Sequence, residues 1–360
     1  MRLLITGGCG FLGSHLVEHF LKIPDVEIVV LDKLTYASNG FDRLRDISAS
    51  NDISRAEMAL RVRALSADLA RPIPAGIIQE IGQVDYIVHA AAESHVDNSI
   101  VDPLPFLESN VLGMHNLLMM VRAMSSVKRV FAVSTDEVYG PAAFAESHLT
   151  SERTLAGLLA FTHTVAGFDE QAPFRPANPY AASKAGAEAV AMAYANTYKL
   201  PVTIVNTMNL YGERQHPEKF VPLVIRKVLR GETVTIHADP TRTRSGTRFY
   251  LHCRTYANAL AWLIEQDASG TAMPLKLHVC GEREISNIEM AEMITAAMEG
   301  HYTLNYELVD FHSSRPGHDL RYAMRDDVIR QMGWVRPMNL EQSLEKTVRW
   351  YLSNMRWLNL

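Results

Sequence analysis

The fold is decided by residues 2–13, which read RLLITGGCGFLG. The first half is apolar enough for a buried strand, and the second half places three glycines before a segment that predicts a helix. Gly7, Gly10 and Gly13 have the spacing that supplies a tight turn, a close backbone approach to a pyrophosphate and a close contact with the helix. The stretch therefore predicts the strand, loop and helix that bind a dinucleotide.

The rest of the first half of the chain repeats this rhythm, because β-rich runs alternate with longer amphipathic segments. Further strands are predicted at residues 27–32, 84–89, 129–134 and 202–206, and helices at residues 13–23, 106–124 and 180–198. Right-handed crossovers place these strands in one parallel sheet. The sequence thus predicts an α/β protein with a Rossmann-type, doubly wound parallel sheet and a smaller α/β substrate lobe on its C-terminal side.

The predicted domains follow from where this rhythm stops. The dinucleotide-binding domain is expected at residues 1–206, with a return of the chain to it around 248–268. The substrate lobe is expected at residues 207–247 and 269–360. Residues 141–179 are long for a connection between a strand and a helix, which predicts a functional lid or an insertion.

Composition narrows the class of protein. The chain has 360 residues, 48% of them hydrophobic and 21% charged, and a formal net charge of -5. These values predict a globular protein with no general attraction to nucleic acid or to an anionic membrane. Cys9, Cys253 and Cys280 form neither a disulfide framework nor a metal cluster. The scattered cysteines predict no metal site. With no room for a signal peptide before the first strand, we expect a cytoplasmic protein.

The identity of the dinucleotide is indicated by Asp32, which closes the second strand at the expected distance from the glycines. A carboxylate there accepts hydrogen bonds from the adenosine ribose and repels a 2′-phosphate, which predicts NAD. The positive charge of the adjacent Lys33 is evidence against this prediction. Asp68 either faces the adenine or caps its own loop. Residues 90–92 are alanines, which permit a cofactor to lie against the backbone or a helix to pack closely.

The chemical groups are found in two places. Residues 134–137, Ser-Thr-Asp-Glu, end an apolar run, and Tyr180 stands four residues before Lys184, so that both lie on one face of a helix. A Lys ammonium lowers the pKa of the phenol, which then accepts a proton from an alcohol as hydride leaves its carbon. Two adjacent carboxyl groups in different environments can serve as one acid and one base. The alternative is that Asp136 and Glu137 cap the next helix.

With these motifs the chain resembles the extended short-chain dehydrogenase/reductase superfamily, and within it the nucleotide-sugar 4,6-dehydratases, nearest the branch that acts on dTDP-glucose. Further matching stretches are AAESHVDNSI at 91–100, STDEVYG at 134–140, GEREISN at 281–287 and RPGHD at 315–319. The resemblance implies NAD as the cofactor, a nucleotide-sugar substrate and a homodimer. The expected dimer helices lie near 106–124 and 180–198, where the run 117–120 is either an outer face or internal core.

The resemblance also implies an order of events. Tyr180 would deprotonate the sugar 4-hydroxyl, with Thr135 bonded to the same oxygen, and Lys184 would hold the nicotinamide ribose. Glu137 would remove the C5 proton and Asp136 would protonate the departing 6-hydroxyl, before the hydride returns to C6.

The implied binding residues form two sets. Those expected at the cofactor are Gly7, Gly10, Phe11, Leu12, Gly13, Asp32, Lys33, Leu34, Thr35, Asp68, Leu69, Ala90, Ala91, Ala92, Asn110, Tyr180 and Lys184. Those expected at the substrate are Ser94, His95, Asn209, Lys219, Arg248, Arg315 and His318.

Three departures from the family pattern lie on the substrate side. First, Asn206 replaces an Arg and Glu213 replaces a Pro around the motif of Asn209. Second, residues 248–252, RFYLH, replace a longer aromatic-acidic signature. Third, the connection 141–179 is longer than usual. They leave open which nucleotide and sugar are bound, so that a dehydratase of another NDP-hexose and an NDP-sugar 4-epimerase remain alternatives. An epimerase would not need the Asp136 and Glu137 pair. An NAD-binding sensor or scaffold without activity is the non-enzymatic alternative, and it would need none of the chemical groups.

Overall fold

The chain forms two compact units in a computed structural model, which describes residues 1–35, 38, 40–51, 53–143, 167–310 and 320–360. Unit 1 comprises residues 1–135, 178–206 and 256–277, and unit 2 comprises residues 136–177, 207–255 and 278–360. These bounds differ from the predicted domain limits in two places. Residues 136–177 group with unit 2, and the chain returns to unit 1 at 256–277 rather than at 248–268.

The strands alternate with helices along unit 1 and become short in unit 2. In chain order they are β1 (Arg2–Thr6), β2 (Glu27–Asp32), β3 (Val62–Ser66), β4 (Tyr86–His89), β5 (Arg129–Thr135), β6 (Val202–Thr207), β7 (Leu210–Tyr211), β8 (Val234–Ala238), β9 (Thr247–Arg248), β10 (Leu251–His252), β11 (Lys276–Val279), β12 (Ile285–Ser286) and β13 (Tyr306–Asp310). The strands predicted from the sequence are present within two residues of their expected ends.

Unit 1 is built on a seven-stranded sheet with the order β11-β6-β5-β4-β1-β2-β3. The pairs that β1 forms with β2 and β4 are parallel, as are the pairs of β2 with β3 and of β4 with β5. Because the order of the strands reverses at β1, the sheet is doubly wound, and the predicted Rossmann-type fold is confirmed. Its reversal point lies at the carboxyl end of β1, where the glycine stretch begins.

Helices of unit 1 follow the strands. They are Phe11–Leu21, Asp42–Ser50, Arg55–Arg61, Ala75–Ile81, Val96–Val101, Leu104–Phe106, Gly113–Ala123, Pro179–Tyr198 and most of Cys253–Ala268, with a π-helical turn at Leu107–Leu112. Leu117, Leu118 and Met120 pack with strand residues in the core, whereas Met119 is 42% exposed. The run 117–120 is therefore mostly internal core rather than an outer face.

Unit 2 has its own apolar core between helices and a small parallel pair of strands. The helices are Phe220–Leu229, Asn287–Ala297, Asp327–Gln331 and Leu340–Ser353, with 3-10 turns at Asp136–Tyr139 and Met355–Leu358. β8 pairs with β13, and Ile236 packs with Val224, Met290 and Leu344. Within the described part of the chain, none of the helices combines the length and the apolar character that crossing a membrane requires.

Candidate active site

The glycine stretch forms a turn in which side chains would not fit. Gly7 has a φ of +70°, and a Cβ on it would stand 2.7 Å from the Cα of Ala91. A Cβ on Gly13 would stand 2.0 Å from the carbonyl oxygen of Gly7. Gly10 begins the helix Phe11–Leu21 by accepting a hydrogen bond from the Ser14 N–H at 2.9 Å. The backbone can therefore approach a pyrophosphate at the positive end of this helix.

Asp32 faces this turn from the end of β2. Its carboxylate accepts hydrogen bonds from the Cys9 N–H at 3.0 Å and from the Leu34 N–H at 2.8 Å. The ammonium of Lys33 pairs with Glu93 at 2.9 Å, so that its positive charge already has a partner. A neutral ribose fits these surroundings better than a 2′-phosphate, because the Asp32 carboxylate contacts the turn directly.

Three further residues of unit 1 that are predicted to bind the cofactor form hydrogen bonds or packing contacts within the protein. Asp68 accepts a hydrogen bond from the Ala70 N–H at 2.9 Å, which is the loop cap that the sequence left open. Asn110 bonds the backbone N–H and carbonyl of Glu93 at 2.9 and 3.0 Å, and donates to Ser183 Oγ at 2.8 Å. Leu69 packs in the core. Contacts of these residues with a cofactor remain predictions.

Tyr180 and Lys184 lie one turn apart at the start of the helix Pro179–Tyr198. Asn178 caps this helix, because its side-chain oxygen accepts a hydrogen bond from the Ala181 N–H at 2.8 Å. A proline at the first helical position needs no partner for an N–H. The pair therefore stands on a well-defined helix start, which fixes the direction of both side chains.

The two side chains differ in their surroundings. The Tyr180 ring meets the Phe106 ring edge-on, with centroids 6.4 Å apart. The Lys184 ammonium donates to the Val133 carbonyl at 2.8 Å, and burial lowers its pKa to about 8, against the opposing effect of Glu188. Burial and the charge of Lys184 lower the pKa of His89 to about 3, so that this imidazole is neutral. Lys184 is thus the positive group beside the end of β5.

The end of β5 carries Thr135, which is 8% exposed. Its carbonyl accepts a hydrogen bond from the Asn206 amide at 2.8 Å, and the hydroxyl of Ser134 donates to Glu188 at 2.5 Å. Sequence reasoning missed Glu188 and noted Asn206 only as a departure. The spacing of Glu188, four residues after Lys184, was the signal that could have revealed it.

Asp136 and Glu137 begin the 3-10 turn Asp136–Tyr139 of unit 2. Asp136 is 5% exposed and Glu137 is partly exposed, so the two neighbouring carboxyl groups have different environments. The hydroxyl of Tyr139 bonds His278 Nε2 at 2.6 Å, while His278 Nδ1 bonds the carbonyl of Arg325 at 2.9 Å. A carbonyl only accepts, so Nδ1 carries the proton and Tyr139 donates to Nε2. The turn is therefore anchored at its last residue.

The predicted substrate residues have mixed settings. In unit 1, Ser94 is exposed, and His95 caps the helix Val96–Val101 by accepting from the Asn98 N–H at 3.4 Å. In unit 2, the Arg248 guanidinium donates to the carbonyls of Thr247 and Leu320 and lies over the Tyr322 ring.

Two further substrate candidates of unit 2 lie in the described part of the chain. Asn209 has a φ of +32°, and Lys219 lies at the start of the helix Phe220–Leu229. Arg315 and His318 lie outside the described residues, as does most of the connection 141–179. Substrate contacts of all these residues stay predictions.

The thiols and the metal-ligating side chains show no built site in the described residues. Cys9, Cys253 and Cys280 are free and buried, and burial raises the pKa of Cys9 to about 12. Across residues 1–35, 38, 40–51, 53–143, 167–310 and 320–360, no group of three or more His, Cys, Asp or Glu side chains is arranged to hold a metal ion.

The doubly wound sheet, the glycine turn and the Tyr180–Lys184 pair together define an extended short-chain dehydrogenase/reductase. Residues 3–275 match the model of the NAD dependent epimerase/dehydratase family, and the chain belongs to this family. It is 34% identical to a dTDP-glucose 4,6-dehydratase of Salmonella typhimurium, over 100% of this chain and 95% of that protein.

Two further similar proteins are a trifunctional plant protein and a bacterial dehydratase with a solved structure. A trifunctional UDP-glucose 4,6-dehydratase/UDP-4-keto-6-deoxy-D-glucose 3,5-epimerase/UDP-4-keto-L-rhamnose-reductase of Arabidopsis thaliana is 34% identical, over 99% of this chain and 48% of that protein. The crystal structure of a dTDP-glucose 4,6-dehydratase from Streptomyces venezuelae with NAD and TYD bound has 35% sequence identity and a TM-score of 0.78, covering 99% of this chain and 98% of that chain. The predicted family resemblance is confirmed.

Proposed function

We propose that this protein is an NAD-dependent hydro-lyase that converts dTDP-glucose to its 4-keto-6-deoxy derivative. The dehydratases that match the chain over its full length support this activity, and one of them was solved with NAD bound. The residues present fit NAD, because Gly7 and Gly13 leave space for a pyrophosphate and Asp32 faces the same turn. Phe11 and Leu12 stand at the start of the helix that would meet the phosphates.

The first step is oxidation of the sugar at C4. Tyr180 accepts the proton of the 4-hydroxyl, helped by the positive charge of Lys184 one turn away. Thr135 bonds the same oxygen and keeps the alcohol oriented. NAD, when bound, supplies the acceptor for the C4 hydride and gives the same hydride back to C6.

The second half of the reaction removes water. A ketone at C4 acidifies the proton at C5, and Glu137 takes this proton as the base. Asp136 is more buried than Glu137, and two neighbouring carboxyl groups in different environments can divide the roles of acid and base, so Asp136 serves as the acid for the 6-hydroxyl. The reaction consumes no external oxidant or reductant, because the oxidation of C4 to a ketone is balanced by the reduction of C6 to a methyl group.

The observation that carries the proposal is the strand end. Thr135 closes β5 beside a buried Lys184, and a buried and a partly exposed carboxyl group follow immediately in the chain. An NDP-sugar 4-epimerase needs the Tyr and the Lys but not both carboxyl groups. A sensor needs none of the chemical groups, whereas all five are present.

The test uses purified protein and a panel of dTDP-, UDP-, GDP- and CDP-hexoses, with mass spectrometry of the products. We expect the product from dTDP-glucose to have lost one molecule of water. A product of unchanged mass but altered configuration would indicate an epimerase, and no reaction with any hexose would support the sensor. Loss of water only from another nucleotide sugar would correct the substrate and keep the reaction.

The assembly and the compartment are part of the same proposal. Leu107, Leu112, Met119 and Tyr198 each expose more than 40% of their surface, which supports a homodimer through the helices predicted for it. Three free thiols support a reducing compartment such as the cytoplasm. The net charge of -5 supports a small-molecule enzyme rather than a nucleic-acid or membrane-surface protein.

A further inference from the structure

Glu188 connects the Tyr180-bearing helix with three neighbouring strands of the sheet, although its side chain is 2% exposed. Its Oε1 accepts hydrogen bonds from Ser134 Oγ at 2.5 Å and from Asn206 Nδ2 at 2.7 Å. Its Oε2 pairs with the ammonium of Lys276 at 2.7 Å, and the Lys276 side chain is 6% exposed. One carboxylate therefore binds a donor from each of β5, β6 and β11.

These contacts reach the backbone of a proposed catalytic residue. The Asn206 amide that donates to Glu188 also donates to the carbonyl of Thr135 at 2.8 Å. Ser134, the other donor from β5, precedes Thr135 in the chain. The end of β5 is thus held from both its side chain and its main chain by groups that meet at Glu188.

The same carboxylate is the negative group that faces Lys184. The charged and titratable groups around Lys184 are Tyr180 and Glu188 on its own helix, His89 on β4 and Lys276 on β11 through its pair with Glu188. His89 is neutral, since its pKa is lowered to about 3 by burial and by Lys184. The charge state of Lys184 therefore depends on how far Lys276 neutralises Glu188.

We propose that Glu188 and Lys276 form a buried positioning pair, which holds the end of β5 that carries Thr135 and sets the electrostatic field at Lys184. The inference rests on the proposed function, from which Thr135 and Lys184 take their roles. An apolar side chain at position 188 would remove the acceptor that Ser134, Asn206 and Lys276 share in the interior. A lone buried carboxylate without Lys276 would be costly to keep charged. The arrangement thus requires both members of the pair.

The test compares the pH dependence of kcat/KM for dTDP-glucose dehydration in Glu188→Gln and Lys276→Met. Glu188→Gln keeps the side-chain length, Lys276→Met shortens it by one atom, and each change removes one charge. Glu188→Gln removes the negative charge beside Lys184, so the fall of activity at high pH should move to lower pH by roughly one unit. In Lys276→Met the Glu188 carboxylate keeps its donors Ser134 and Asn206 and has Lys184 as its remaining cation, so the carboxylate stays charged and this fall should move to higher pH. Glu292→Gln and Lys346→Met, at exposed positions, are the matched controls.

Shifts in opposite directions are the expected result, and a purely structural role would not produce them. The proposal is overturned if the high-pH fall of kcat/KM coincides with that of the wild type in both variants, or if it moves in the same direction in both. A change in the maximal rate does not alter this outcome. If Glu188→Gln does not fold, Lys276→Met decides alone. If kcat/KM of that variant falls at the same pH as in the wild type, the field effect is rejected.

A second measurement separates this proposal from the reaction itself. Carbon-13 labelling at lysine Cε allows the titration of Lys184 to be followed by NMR in protein without substrate, with Lys184→Arg for assignment. The same opposite shifts are expected there. If dTDP-glucose is not dehydrated but these shifts occur, the proposed function fails and the field effect of the pair stands; unmoved titrations overturn the pair.

Discussion

Asp136 and Glu137 are adjacent in the chain, yet only Asp136 is buried, and the more exposed Glu137 is the proposed base for the C5 proton. Glu137→Gln keeps the size of the side chain but cannot accept the C5 proton. We expect the first oxidation to proceed and the elimination to slow by about 100-fold or more, since general bases contribute about 10²–10⁴-fold. Reduced nicotinamide should then accumulate after dTDP-glucose is added, as followed by its absorbance.

The control for this change is Tyr180→Phe, which removes the base for the earlier step. This variant should retain NAD but should not reduce it when substrate is added. If Glu137→Gln turns over at the wild-type rate with no build-up of reduced nicotinamide, the assignment of Glu137 is wrong.

Lys184 gives the molecule a pH dependence whose sign follows from burial. Its pKa lies at about 8, below the 10.5 of a free lysine, because burial disfavours the charged form. The proposed first step needs the charged form, so the rate should fall as pH rises through about 8. Stability should respond in the opposite direction, because between these two values the unfolded chain binds more protons at this site than the folded one.

Pre-steady-state oxidation rates and urea unfolding between pH 7 and about 10.5 measure the two effects. Lys184→Met is the control for the unfolding series. It should remove the contribution of this side chain to the slope of the free energy of unfolding against pH. A rate that stays constant through this range would show that Lys184 does not need its charge.

At the scale of an element, the glycine turn after β1 is defined by backbone contacts. Gly13→Ala places a Cβ 2.0 Å from the carbonyl oxygen of Gly7, where neither partner is a flexible side chain. We expect a loss of about 2–3 kcal/mol in the free energy of unfolding, as for other overpacked sites, together with weak NAD binding. Urea unfolding and calorimetric titration with NAD measure both.

Gly76→Ala is the matched control for this substitution. Gly76 lies in the helix Ala75–Ile81, and a Cβ there meets no atom within 4 Å. Alanine should stabilise this helix by about 0.5–1 kcal/mol and leave NAD binding unchanged. Equal effects of the two substitutions would mean that the turn tolerates a side chain.

The elements themselves were largely predictable, since β1 and β5 are continuous apolar runs and the helix Pro179–Tyr198 starts with a capping Asn and a Pro. The roles of single polar residues were less so. His95 matches a functional loop in sequence, but in the structure its ring nitrogen caps a helix. The Asn110 side chain, expected at the cofactor, bonds the Glu93 backbone and Ser183. Such partners depend on which segments meet in space, which local patterns do not encode.

At the scale of the whole molecule, the division of the chain was harder to predict than its sheet. β11 is only four residues long and begins with Lys276, a residue type that is rarely buried. It joins the sheet beside β6 because Lys276 finds a partner in Glu188, which lies far away in sequence. The sequence analysis therefore placed these residues in the substrate lobe, 269–360, without predicting a strand there.

The proposed homodimer is testable through two exposed apolar side chains. Leu112 and Met119 are seven residues apart, hence on one helical face, and are 45% and 42% exposed. Burying each in an interface contributes about 1.5–3 kcal/mol at most, and in a two-fold dimer each position counts twice. Leu112→Glu with Met119→Glu should therefore convert a dimer into a monomer in sedimentation velocity.

Val335→Glu is the control for that experiment, because Val335 is 79% exposed and belongs to unit 2 rather than to the helices predicted for the dimer. It should leave the sedimentation coefficient of the dimer unchanged. The doubly substituted chain should keep its helical circular dichroism, since both side chains face solvent in the single chain. If the doubly substituted protein is still a dimer, the interface lies on another surface. If the wild-type protein sediments as a monomer, the proposed homodimer is wrong.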